Sequence, residues 1–120
     1  MAYDESTADR VRAALGPRRD LAEKKMMGAL CFLIDGRICC GVAGSALLVR
    51  VGHGAFREML TRPHVQPMEF AGRQSTSFVL VAAEGLRTER ALAAWVNLGI
   101  DLLSRLPRKA AARRRETRRR

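Results

Sequence analysis

The stretch from Ala29 to Val42, ALCFLI-DG-RICCGV, limits the possible folds more than any other part of the chain. Two apolar, β-branched and aromatic runs flank Asp35-Gly36, the residue pair favoured for a two-residue type I′ turn because both positions tolerate positive φ. This predicts a β-hairpin of Ala29–Ile34 with Ile38–Val42. A second turn at Ala43-Gly44-Ser45 leads to a third strand, Leu47–Val51, and so to an antiparallel meander. Leu21–Met27 is a further candidate strand, interrupted by the charged Glu23-Lys24-Lys25.

Helices flank the meander. Asp4–Leu15 carries Ala8, Val11, Ala14 and Leu15 at helical spacing, with Asp4 as N-cap and Gly16-Pro17 as stop. Gly52–Arg62 reads as a short helix with Ala55, Phe56, Met59 and Leu60 on one face, ended by Pro63. Pro67–Phe70 and Ser77–Val81 read as two strands around Gly72. Thr88–Leu106 is a long helix with the stripe Leu92, Trp95, Val96, Gly99, Leu102, Leu103 and Leu106, ended by Pro107. The expected class is α+β: an antiparallel sheet of five to six strands packed with helices, in the order α-β(3-4)-α-β(2)-α.

Charge divides the chain in two. Of the net +10, residues 107–120 hold +7, from Arg108, Lys109, Arg113, Arg114, Arg115, Arg118, Arg119 and Arg120 against Glu116. Residues 1–106 hold 14 basic and 11 acidic residues, an ordinary balance. The expected organisation is a domain at 1–106 and a disordered Arg-rich tail at 107–120. Low-complexity Arg/Ala has no apolar face to dock. The tail's eight cations can engage nucleic-acid phosphates with a log–log salt slope of about −7 and no means of reading bases. A solvated tail without a partner is the alternative. No apolar run nears the ~20 residues of a bilayer span, and Met1–Arg12 is polar and acidic-led, unlike a secretory signal. A cytoplasmic protein without membrane contact, monomeric or homodimeric, is expected.

Several segments stand in a family's order: Glu23-Lys24-Lys25-Met26-Met27-Gly28-Ala29, Cys39-Cys40-Gly41-Val42, Val49-Arg50-Val51-Gly52, Arg62-Pro63-His64-Val65-Gln66-Pro67-Met68-Glu69-Phe70 with Gly72-Arg73, and Trp95-Val96 before Leu106-Pro107. Over nearly all of 1–109 the chain resembles a stand-alone N-terminal domain of the TfoX/Sxy family. It has Met26-Met27-Gly28-Ala29 where members usually read Met-Phe-Gly-Gly, and Gln74-Ser75 where they often have Pro-Met. The resemblance implies a fold like that of type III secretion chaperones, an antiparallel sheet with helices on one face. It also implies a protein partner of transcription-regulator type, since two-domain members regulate natural competence together with a cyclic-AMP receptor transcription factor.

Candidate chemistry is sparse. Counting outward from Asp35-Gly36, Ile34 faces Arg37, Leu33 faces Ile38, Phe32 faces Cys39 and Cys31 faces Cys40. The last is a non-hydrogen-bonded pair, with Cα atoms about 4.5 Å apart, at the short end of disulfide geometry. A reversible Cys31–Cys40 bridge is one reading, and two small buried hydrophobes is the other. Adjacent Cys39-Cys40 is not the spacing of a zinc site, and His53 and His64 lie on separate segments. No GxSxG, Walker A or GxGxxG pattern occurs, so no catalytic residue, cofactor or metal is expected. Arg50, Arg57, Arg62, His64 and Arg73 are candidates for an anion patch, the alternative being a solvated charged face. Trp95, Met26, Met27, Met59 and Met68 read as core, with a methionine-lined partner groove as the alternative for the last four. The function expected is a non-enzymatic regulatory or interaction module. The alternatives are a small ligand-binding protein or enzyme, and a chaperone-like dimer docking a partner segment on its sheet.

Overall fold

The computed structural model describes residues 3–26, 28–70 and 72–106. The chain runs α1 (Glu5–Leu15), β1 (Leu21–Met26), β2 (Ala29–Ile34), β3 (Arg37–Ala43), β4 (Ala46–Arg50), α2 (Phe56–Met59), β5 (Val65–Phe70), β6 (Arg73–Val81), a 3-10 turn (Ala83–Leu86) and α3 (Glu89–Arg105). The strands form one six-stranded antiparallel sheet in the order β1-β2-β3-β4-β6-β5. This is the expected α+β class and element order. Residues 107–120, with every tail cation named above, and Met27 lie outside the described residues.

Local chemistry accounts for the element ends. Asp4 caps α1, its carboxylate accepting from the Thr7 N–H at 3.0 Å and the Thr7 hydroxyl at 2.7 Å. These bonds hold the Asp4 carboxyl below its ordinary range. The Asp4 N–H in turn donates to the Gly44 carbonyl at 2.9 Å, tying the start of the chain to the β3–β4 turn. Asp35 and Gly36 take φ of 54° and 80°, as the type I′ reading requires. Thr88 caps α3 through the Ala91 N–H at 3.0 Å. At the other end of α3, Arg37 donates to the Leu103 carbonyl at 3.1 Å, a cation placed where the helix dipole favours one.

Three elements differ in extent from the sequence reading. The helix expected over Gly52–Arg62 is a single turn, Phe56–Met59. Gly52 adopts φ +85°, and the Val51 and Gly52 N–H groups both go to the Ser77 carbonyl, so the backbone there prolongs the contact of β4 with β6. The last two strands are longer than expected: β5 begins at Val65, which pairs with Val81, and β6 begins at Arg73 because Gly72, at φ +78°, turns tightly and sets Phe70 opposite Arg73. The polar run Arg73–Ser77 hid this extension, since the strand is mostly exposed there. The 3-10 turn was not anticipated.

All helical elements pack on one face of the sheet. Ala8, Val11 and Leu15 of α1, Phe56 and Met59 of α2, Leu86 of the 3-10 turn, and Leu92, Val96 and Leu103 of α3 bury against Phe32, Val42, Leu47, Val49, Val79 and Val81. Burying each of the Val, Leu, Phe and Met side chains fully stabilises the fold by about 1.5–3 kcal/mol relative to leaving it in water. Trp95 is half-buried at the margin of this core, and the Arg62 guanidinium lies 5.8 Å from its ring centroid. Among the described residues no helix is long and apolar enough to cross a membrane.

Candidate functional site

The opposite face of the sheet is the outstanding surface. Ala29, Cys31 and Leu48 are buried at its centre, ringed by half-buried Met26, Leu33, Ile38, Met68, Phe78 and Leu80. No helix among the described residues covers it. The strand period of two explains the arrangement: Leu30, Phe32 and Ile34 point to the helices, while Cys31 and Leu33 point away. Because β2 is apolar at every position and β4 is apolar from Ala46 to Val49, both faces of the sheet centre are apolar. Such a pattern is expected of a strand covered on both sides. Two cations stand on this face. Lys24 lies opposite Cys31 on edge strand β1. Arg50 lies opposite Phe78, with its guanidinium 4.8 Å from the ring centroid.

Arg50 is half-buried. Burial, followed by the nearby Arg37 charge, pulls its pKa down. Its Nε donates to the Ile38 carbonyl at 2.6 Å. Among the described residues neither Arg50 nor Lys24 has a carboxylate within ion-pair distance.

The five residues considered as an anion patch are set apart. Arg50 is on the uncovered face, whereas Arg62 lies over Trp95 on the helix side, so the sheet separates them. Arg57 is exposed on α2. Arg73 stands at the tip of the β5–β6 hairpin. His64 adopts φ +66° after Pro63, and its carbonyl accepts from the Ala82 N–H at 2.8 Å. Its side chain abuts Gly85, where an added Cβ would sit 3.2 Å from the His64 Cβ. The Arg-Pro-His segment is therefore a turn that seats β5 against the 3-10 turn.

The facing Cys31–Cys40 pair is corrected by the register. Leu33 lies opposite Ile38 as expected, but Phe32 lies opposite Cys40 and Cys31 opposite Gly41. A β-bulge makes Cys39 the extra residue, which shifts every pair beyond it. Cys39 and Cys40 both join the core under the helices, while Cys31 belongs to the uncovered face. All three are free, buried thiols. Burial pushes the Cys31 thiol up. Its hydrogen bond to Cys39, then burial, pushes the Cys40 thiol well up. The same bond draws Cys39 down against burial. Buried thiols of this kind react only when the fold opens. In native buffer, a thiol-specific chromogenic reagent is therefore expected to label no cysteine within the mixing time, and all three after denaturation. Prompt stoichiometric labelling of native protein would contradict the burial.

Among the described residues no group of three or more His, Cys, Asp or Glu side chains is placed to hold a metal. Glu23, in the Glu-Lys-Lys stretch, has a structural task. It takes two hydrogen bonds from Arg12, at 2.7 and 2.9 Å, and so fastens α1 to edge strand β1. The bond from Arg12 holds the Glu23 carboxyl below its ordinary range.

The TfoX N-terminal domain family model matches residues 13–102. The chain belongs to that family. No curated protein and no solved structure matches it. The match begins inside α1 and ends inside α3, so it takes in the whole sheet and both of its faces. The TfoX N-terminal domain is a regulatory, interaction-type module. The segments that resemble the family are explained here largely by folding. Cys39-Cys40 forms the bulge, Glu23 ties α1 to β1, and Arg62-Pro63-His64 makes the turn into β5.

Proposed function

We propose that this TfoX N-terminal domain is a non-enzymatic regulatory module that docks a protein partner on the uncovered face of its sheet. The supporting observation is the apolar face itself, bounded by Met26, Leu33, Ile38, Met68, Phe78 and Leu80 and left without a helix among the described residues. Apolar surface of this kind marks interaction sites. The two cations on the face, Lys24 and Arg50, lack carboxylate partners and select a segment that is apolar on one side and acidic at its margins. Methionine at two positions suits a surface that adapts to its partner. By family, the partner is a transcription regulator. The tail residues Arg108, Lys109, Arg113, Arg114, Arg115, Arg118, Arg119 and Arg120 add a sequence-independent hold on nucleic acid, supported by their charge alone.

Site-specific photo-crosslinking tests the docking face. A photoreactive residue in place of Leu33, on the uncovered face, is expected to capture a recurrent partner in cell extract. The same group in place of Ala13, exposed on α1, is expected not to. The captured segment should be apolar and carry Asp or Glu. Charge reversal at Lys24 should weaken capture at least about threefold, the scale of a rim charge pair. Identical capture from both positions, or none from Leu33, would sink the docking reading.

A further inference from the structure

The sheet ends in two edge strands, β1 and β5. They are not equally open. The Asp35 N–H donates to the Asp20 carbonyl at 2.9 Å, so Asp20 and Asp35 are a hydrogen-bonded pair. Such pairs alternate along an antiparallel ladder. In the β1–β2 register Ala22, Lys24 and Met26 therefore bond to β2, and the N–H and C=O groups of Leu21, Glu23 and Lys25 point outward. On β5 the Ala82 N–H donates to the His64 carbonyl, so by the same count Val65 and Pro67 point outward. Pro67 has no N–H to offer, and the register shifts directly after it. A further strand on β5 would meet a missing donor and a bulge. Edge β1 pairs regularly along its whole length and contains no proline.

The side chains of β1 decide what can pair there. Ala22, Glu23, Lys24 and Lys25 are all exposed. The Glu23 carboxylate is taken up by Arg12. Lys24 lies on the uncovered face, opposite Cys31, and Lys25 on the helix side, opposite Leu30. The Lys25 Nζ stands 5.9 Å from the Tyr3 ring centroid. Among the described residues neither lysine has a carboxylate within ion-pair distance. Lysines on an edge ordinarily guard it against other chains, and this guard depends on sign. Two-fold pairing of β1 with a second copy keeps each face aligned, so an axis within Glu23-Lys24-Lys25 sets one charge against its own copy. An acidic strand meets no such opposition.

We propose that β1 accepts a seventh, antiparallel strand from a partner protein, whose two consecutive Asp or Glu residues stand opposite Lys24 and Lys25, one on each face of the sheet. Main-chain bonds to Leu21, Glu23 and Lys25 supply the hold. The two acids fix the register, because a slip of one residue would carry each to the wrong face. The edge goes beyond the docking face, since a partner can cover that face without adding a strand.

Amide hydrogen exchange of the full chain, read by NMR, tests it with the capped peptide Val-Glu-Glu-Thr-Val-Val as probe. Paired antiparallel from Met26 back to Leu21, this peptide sets its acids opposite Lys25 and Lys24. In the free protein the Leu21, Glu23 and Lys25 amides should exchange fast beside protected Ala22, Lys24 and Met26. Peptide at about ten times its Kd should slow the first three about tenfold. A peptide with Lys for both Glu should bind at least about tenfold more weakly. The double variant Lys24→Glu, Lys25→Glu should reverse that preference. N-methylation of the peptide Thr, whose N–H faces β1, should abolish binding. N-methylation of the Val opposite Ala22, whose N–H faces away, should leave it intact. If the double variant fails to fold, the N-methyl pair decides on the wild-type chain. Unchanged exchange of the three amides, equal binding of the lysine peptide, or equal effects of the two N-methylations would overturn the proposal. So would protection in the free protein that rises with its concentration, because a second copy would then hold the edge. None of these results bears on capture at Leu33, so the two readings fail separately.

Discussion

Ending the chain after Leu106 is expected to remove nearly all of its affinity for nucleic acid while leaving the melting temperature of the domain unchanged. The truncated chain keeps net +3 of the original +10. Eight cations in contact with duplex phosphates release counterions in proportion, which gives a log–log salt slope of about −7. Between 50 and 200 mM salt the full chain should therefore lose on the order of 10⁴ in affinity. Fluorescence anisotropy with two unrelated duplexes of equal length measures both the slope and the indifference to sequence that phosphate contact implies. A truncated chain that binds as tightly as the full one would end the tail hypothesis. A full chain that prefers one duplex strongly would move the recognition to the domain.

The second large effect is expected at Gly99. This residue is buried in the middle of α3, where the helix crosses the bulge in β3. A Cβ on Gly99 would lie 2.8 Å from the Cys39 carbonyl oxygen and 3.0 Å from its sulfur. The oxygen belongs to the backbone of a central strand and cannot swing aside. Two effects compete in Gly99→Ala. Helix propensity favours alanine by about 1 kcal/mol, and overpacking costs typically 1–3 kcal/mol. With a backbone atom as the obstacle, overpacking wins, and a net loss of up to about 2 kcal/mol is expected. Gly99→Val adds two methyl groups in the same gap and loses the propensity advantage. Its cost should exceed about 3 kcal/mol, a large share of the 5–15 kcal/mol that stabilises a typical domain. Urea denaturation of the two variants beside the wild type measures both losses. An alanine variant as stable as the wild type would mean that α3 can lift from β3 without penalty.

The expected class survives in the structure because its signals are local. Asp35-Gly36 specifies its turn through backbone φ, Asp4 and Thr88 cap their helices through neighbouring N–H groups, and the α3 stripe follows from a 3.6-residue period. Each acts within a few residues, so the chain alone displays it. The family segments are also local and held nearly the whole domain in view. The position of the charge, +7 after Leu106, needs only counting.

What only the tertiary structure decided is relational. The bulge at Cys39 adds one residue to β3, and a strand period of two cannot show whether that residue is paired or extra. Its fit depends on Gly99, sixty residues away, being small where the two backbones meet. That one residue separates Cys31 from Cys40 and removes the facing pair that simple counting gives. The four dispersed arginines and His64 likewise looked like a patch only in one dimension, because the sheet that parts Arg50 from Arg62 is assembled from distant strands. Unbroken apolar runs, Ala29–Ile34 in β2 and Ala46–Val49 in β4, told that both faces of the sheet centre avoid water. Only the packing of α1, α2 and α3 on the same side showed which face is left for a partner, because burial is a property of neighbours and not of the residue itself.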